Sequence, residues 1–150
     1  MLVLRVCGAG LDFYMFSLYR NPDLDDWKND FLLTALAAMQ AADARASFLF
    51  VGDLNGHHQE WSRSTTTNHH SVAALDFATV SGCDQLVIGR THARGGTLDL
   101  LMTDVPDVVR VAVVAPLGRS DHSSLSRAIS MVQAIPNLHV TRIGLQSVTQ

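Results

Sequence analysis

Three features of this 150-residue sequence predict an α+β fold. Strand-length apolar runs at 11–19 and 47–51 flank a stretch whose apolar residues recur at helical spacing, which makes a strand–helix–strand unit. A second helix-like stretch holds Val72, Leu75 and Ala78 or Thr79. Short apolar runs then follow at 84–88, 97–103, 108–114 and 123–131, divided by loops. With 47% hydrophobic and 17% charged residues the chain can bury a core and is not a disordered polymer.

Taken in order, residues 1–6 predict a first strand and Gly8, Ala9 and Gly10 a turn. The 11–19 run is apolar on both faces and therefore belongs inside a sheet. It ends at Tyr19, Arg20, Asn21 and Pro22. Asn21 or Asp23 can cap the next helix, and Asp25 and Asp26 suit its positive end. Its apolar face is Leu24, Trp27, Phe31, Ala35, Ala38 or Met39, and Ala42. The second helix stops at Gly82. From Pro136 onward the pattern is weak and polar, so 132–150 is expected to be a loose tail beyond a domain spanning 1–131.

The net charge of −3 argues against a general polyanion binder, although local charge still governs an enzyme acting on nucleic acid. Arg20, Arg63, Arg90, Arg94 and Arg119, five of the eleven basic residues, lie in predicted loops near the motifs below. Cys7 and Cys83 lack metal-ligand spacing and read as buried thiols of a reducing, intracellular compartment. No apolar run approaches the ~20 residues of a membrane span, and no leader pattern is present.

The most informative stretch follows the 47–51 run. Gly52 bounds that run, and Asp53, Leu54, Asn55, Gly56, His57, His58, Gln59, Glu60 and Trp61 come next. If strand geometry carries through, period-2 alternation puts Asp53 and Asn55 on one face. A carboxylate and an amide there can take a proton from water and donate hydrogen bonds to an anion. The alternative is a plain turn, since Gly, Asp and Asn are turn formers. A second motif, Gly118, Arg119, Ser120, Asp121 and His122, sits between two apolar runs. Asp99, flanked by Leu98, Leu100, Leu101 and Met102, is costly to bury without a partner. His57 and His58 with His69 and His70 could compose a four-histidine zinc site, but adjacent histidines diverge and the intervening loop is unconstrained.

The two motifs in this order resemble the endonuclease/exonuclease/phosphatase, or DNase I-like, superfamily. The Gly-Asp-Leu-Asn-Gly-His-His-x-x-Trp form is most similar to the endonuclease domain of non-LTR (LINE-type) retrotransposons, over roughly 13–129. The resemblance implies a sandwich of two facing mixed sheets flanked by helices. It implies catalytic roles for Asp53, Asn55, Asp99, Asp121 and His122, and substrate contacts for Tyr19, Arg20, His57, His58 and Trp61. It also implies Mg2+ (or Mn2+) held in part by Asp121, a DNA substrate, and a reverse transcriptase portion in a parent polyprotein.

One departure bears on activity. Family members carry an upstream Asn and a metal-ligating Glu, yet the one glutamate here, Glu60, follows Asp53. The chain is therefore expected to be the C-terminal portion of such a domain, with weak or lost cleavage and with exposed edges open to self-association. A non-catalytic remnant or interaction module on the same scaffold is one alternative. A phosphatase or phosphodiesterase branch of the superfamily is another.

Overall fold

The computed structural model describes residues 2–8, 11–21, 38–39, 41, 45–59, 66–129 and 139–143. Their elements are β1 (Leu2–Gly8), β2 (Leu11–Tyr19), β3 (Ser47–Asp53), α1 (His69–Val80), β4 (Asp84–Gln85), β5 (Asp99–Thr103), β6 (Val109–Val114), β7 (Ser124–Ile129) and β8 (His139–Ile143). A 3-10 turn, Pro106–Val108, leads into β6. The first predicted helix lies outside the described residues except for helical Ala38, Met39 and Ala41, and so do Ala9 and Gly10 of the predicted turn.

The strands form a six-stranded sheet, ordered β4-β5-β3-β2-β1-β8, and a two-stranded sheet of β6 and β7. β2 and β3 run parallel, as a strand–helix–strand unit requires, and β5 returns antiparallel to β3. Alternation along each strand sorts the core into two layers. Phe16, Phe50, Leu100 and Met102 point to one face, where they pack with Ala74, Phe77 and Ala78 of α1 and with Met39. Leu49 and Leu101 point to the other, against Val109, Val111 and Val113 of β6 and Leu125 of β7. Both faces of the large sheet are thus covered, which is why β2 and β3 read as continuous apolar runs. The result is an α+β sandwich of two sheets with a helical layer.

Four expectations change. Gly52 lies inside β3 rather than ending it, opposite Leu18. A Cβ at Gly52 would stand 2.0 Å from the Leu18 carbonyl oxygen, so only glycine lets β2 and β3 approach this closely. α1 buries Ser71, Ala74, Phe77 and Ala78, whereas Val72 is 42% exposed; the packed face lies one residue off the apolar spacing because small residues let the helix sit close to the sheet. Cys7 and Cys83 are half-buried rather than buried, and burial pushes the Cys83 thiol up to about 11. Finally, the loose tail does not hold at His139–Ile143, which forms β8 on β1 with Val3 opposite Ile143 and Cys7 opposite His139. Ordered structure therefore extends beyond residue 131. The described side chains of β8 are exposed, so no apolar alternation announced it; a polar strand with Arg142 suits a sheet edge.

Candidate active site

The sheet delivers two carboxylates to one point. Asp53 ends β3, Asp99 begins β5, and the register sets them directly opposite each other. Like charges facing across an antiparallel pair are unfavourable, so something must lie between or above them. That group is His122. Its Nδ1 is 3.0 Å from Asp99 Oδ2 and its Nε2 is 3.9 Å from Asp53 Oδ2. An ionised carboxylate only accepts, so Nδ1 carries the proton and Nε2 faces Asp53.

These contacts set the protonation states. The Asp99 hydrogen bond, reinforced by the charges of Asp99 and Asp53, holds the His122 imidazolium above its ordinary range against partial burial. Asp53 is pushed above the usual carboxylate range, first by burial and also by the Asp99 charge, while the Asn55 N–H and His122 pull it back. Asp121 is held below that range by its own backbone N–H and by nearby His92 and His122.

Asn55 reaches the site by a different route from the one strand alternation predicts. β3 stops at Asp53, and Asn55 takes a left-handed conformation at φ 47°. Its N–H donates to Asp53 Oδ1 at 3.0 Å, and its Nδ2 donates to the Arg20 carbonyl at 2.8 Å. Arg20 N–H in turn donates to the Asp53 carbonyl at 2.9 Å. Arg20 is 5% exposed, and its guanidinium meets His70 Nε2 at 2.5 Å. Its side chain therefore supports the site from behind and is not among the residues that line the cleft.

The site opens into a cleft of about 970 Å³. Asp53, Asn55, Asp99, Asp121 and His122 all line it, together with Tyr19 and His57. Tyr19 is 68% exposed. His57 has its main chain tied to the α1 cap: its N–H donates to Asn68 Oδ1, and its carbonyl accepts from Asn68 N–H and Ser71 Oγ. His58 is half-buried and is not among the lining residues, and Trp61 lies outside the described residues.

Sequence reasoning placed Arg90 and Arg94 near the motifs but missed Thr91 and His92 of the same 89–96 loop. His92 and the Arg90 and Arg94 side of this loop line the cleft. Thr91, fully buried, accepts from Leu98 N–H at 2.9 Å and Asp99 N–H at 3.0 Å through its hydroxyl, which aims the start of β5. The available signal was the spacing of Thr91 and His92 ahead of Asp99, with Gly95 and Gly96 at positive φ closing the turn between them. Asp121 faces His92 Nε2 at 3.3 Å, so of the two carboxylates that could support His122 it is Asp99 that hydrogen-bonds it.

Two groups of potential metal ligands occur among the described residues: Asp53, Asp99 and His122, and His92, Asp121 and His122. None of the four histidines of the imagined zinc site belongs to either. Carboxylate oxygens are the hard donors that Mg2+ and Mn2+ prefer, so the group with Asp53 and Asp99 fits such an ion better than the group with two imidazoles. No helix among the described residues is long and apolar enough to cross a membrane.

Comparison with solved structures gives the endonuclease domain of TRAS1, a telomere-specific non-LTR retrotransposon. The TM-score is 0.70 at 17% identity, over 87% of this chain and 63% of that one. The shared property is the fold, and the chain spans under two thirds of that domain. Comparison with curated protein sequences finds no match. The family model described as endonuclease–reverse transcriptase matches residues 13–126. On that match, which takes in both motifs and most of the sandwich, the chain belongs to the endonuclease–reverse transcriptase family of the DNase I-like superfamily.

Proposed function

We propose that this chain hydrolyses phosphodiester bonds of DNA with the help of Mg2+ or Mn2+. The observation that carries the reading is His122, hydrogen-bonded to Asp99 and facing half-buried Asp53 at the wall of an open, polar cleft. Bound Mg2+ would neutralise charge on the phosphate, and Asp121, Asp53 or the amide oxygen of Asn55 would hold it. Asp53, poised above the usual carboxylate range, takes the proton from an attacking water. His122, whose proton affinity Asp99 raises, stabilises in its protonated form the negative charge that develops on the phosphoryl oxygens. One hydrogen of the Asn55 amide is committed to the Arg20 carbonyl, and the second can reach a phosphoryl oxygen. Tyr19, Arg90 and Arg94 line the cleft where a nucleic-acid backbone would lie.

A glutamate ligand upstream of β2 would have to come from outside these 150 residues, since Glu60 is the one glutamate present. The reading therefore expects slow cleavage by this chain and faster cleavage when the remaining part of a related domain is joined to it. The test is nicking of supercoiled plasmid DNA by purified protein, with Mg2+ and with chelator. Mg2+-dependent nicking that is at least 100-fold slower in His122→Ala supports the reading, in line with the ~2.7–4 kcal/mol of one preorganised stabiliser. Nicking indifferent to His122 overturns it. No nicking, even with the joined segment, favours the non-catalytic scaffold. Release of phosphate from a monoester would favour the phosphatase branch.

A further inference from the structure

The 89–96 loop is stitched to the segment carrying Asp121 and His122. His92 and His122 form an isolated antiparallel bridge. On either side of it, Ser123 N–H donates to the Thr91 carbonyl at 2.7 Å and Ala93 N–H to the Asp121 carbonyl at 2.8 Å. The imidazole of His92 is oriented at both nitrogens. Arg94 N–H approaches Nδ1 at 3.1 Å, and because a backbone N–H only donates, Nδ1 is the acceptor and the ring proton sits on Nε2. That Nε2–H faces Asp121 Oδ2 at 3.3 Å. The same ring meets the His122 ring edge-on, with centroids 4.8 Å apart and planes at 78°. The His92 side chain is 13% exposed, whereas that of Asp121 is 67% exposed. A carboxylate so open to water would sample several rotamers unless a better-packed group held it.

We infer that His92 is a positioning residue of the cleft, whose Nε2–H holds the Asp121 carboxylate in one rotamer and whose ring braces the imidazole of His122. The inference rests on the hydrolytic reading for its consequence but not for its geometry. Loss of orientation costs rate out of proportion to the contact energy, because reacting groups must be held close to their productive arrangement.

The test has two arms on the full chain. In the first, without metal or DNA, three-bond couplings from the Asp121 backbone to its Cγ report χ1 by NMR. A single rotamer is expected in the parent protein and rotamer averaging in His92→Phe, which keeps a ring beside His122 but has no donor. His92→Gln, whose amide restores a donor, should move back toward one rotamer. In the second arm, on plasmid DNA with Mg2+, His92→Phe should lower kcat by about tenfold with KM within about twofold, as loss of a supporting partner does. It should add nothing to Asp121→Asn, since a residue acting through Asp121 then has nothing to position. If the larger ring prevents folding, His92→Leu replaces it in both arms. Asp121 averaging in the parent protein, or couplings unchanged in the variant, overturns the inference whether or not the chain cuts DNA. Additive losses with Asp121→Asn also overturn it. An ordered Asp121 with no cleavage at all supports the inference and counts against the hydrolytic reading alone.

Discussion

Asp99 and Asp121 each face an imidazole, yet the two pairs are built differently. Asp99 begins a sheet strand, is 18% exposed at its side chain, and meets His122 Nδ1 at 3.0 Å. Asp121 lies in a loop, is 67% exposed, and meets His92 Nε2 at 3.3 Å. The first pair is the less exposed of the two, and its hydrogen bond raises the proton affinity of His122 and places the proton on Nδ1. The second is solvated and contributes little to stability; the use proposed for it is orientation. One half of the site is therefore electrostatic and built by strand register, and the other is geometric and built by loop stitching.

The sharpest way to break this contrast is Asp53→Asn. Activity should fall at least as far as in His122→Ala, by 100-fold or more, because no base remains opposite the imidazole. Stability should move the other way. The folded-state carboxyl binds its proton more tightly than the unfolded one, so ionised Asp53 costs stability above the ordinary carboxylate range. Calorimetry at neutral pH should show a higher Tm for the variant, and at pH 3, where both states are protonated, the gain should vanish. A lower Tm at neutral pH would mean that burial of Asp53 is not the cost described.

Asp99→Asn comes next, with a loss of about 10–100-fold expected for a positioning partner. The imidazolium of His122 loses its charged acceptor, so the alkaline limb of the pH–rate profile should move to lower pH. Because the folded pKa is raised, the stabilisation is full below the unfolded value of about 6.5 and disappears as pH rises through the folded value. The variant's deficit in Tm should accordingly be greatest on the acid side of that window and fade on the alkaline side. An alkaline limb that stays in place would remove Asp99 from the account.

Thr91→Val tests the scaffold beneath both halves. It keeps the shape but strips the acceptor from the Leu98 and Asp99 N–H groups, at a cost of about 1–3 kcal/mol for each buried donor left unpaired. At about 2–4 °C per kcal/mol for a chain of this length, thermal unfolding would show it plainly. An unchanged Tm would mean that water replaces the hydroxyl. The smallest effect is expected at Tyr19→Phe: an exposed hydroxyl at the cleft rim should change KM for DNA by only a few fold and leave Tm within about 1 °C.

By itself the sequence determined the sandwich and singled out most of the residues that line the cleft. Runs such as Phe48, Leu49, Phe50 and Val51 are apolar at every position because both sheet faces are covered, and that signal is local. Asp53, Asn55 and the Asp121–His122 pair were legible as short motifs in a fixed order. Only the tertiary structure decided how those residues divide their roles. Asn55 arrives through a left-handed turn, Arg20 faces inward to His70, Asp99 rather than Asp121 serves His122, and His92 enters beside it. The last three depend on which polar group ends up beside which across 20 or more residues of chain, and no local period encodes that. β8 was illegible for a related reason. An exposed edge strand pairs through its backbone, and backbone hydrogen bonds leave no mark on the choice of side chains.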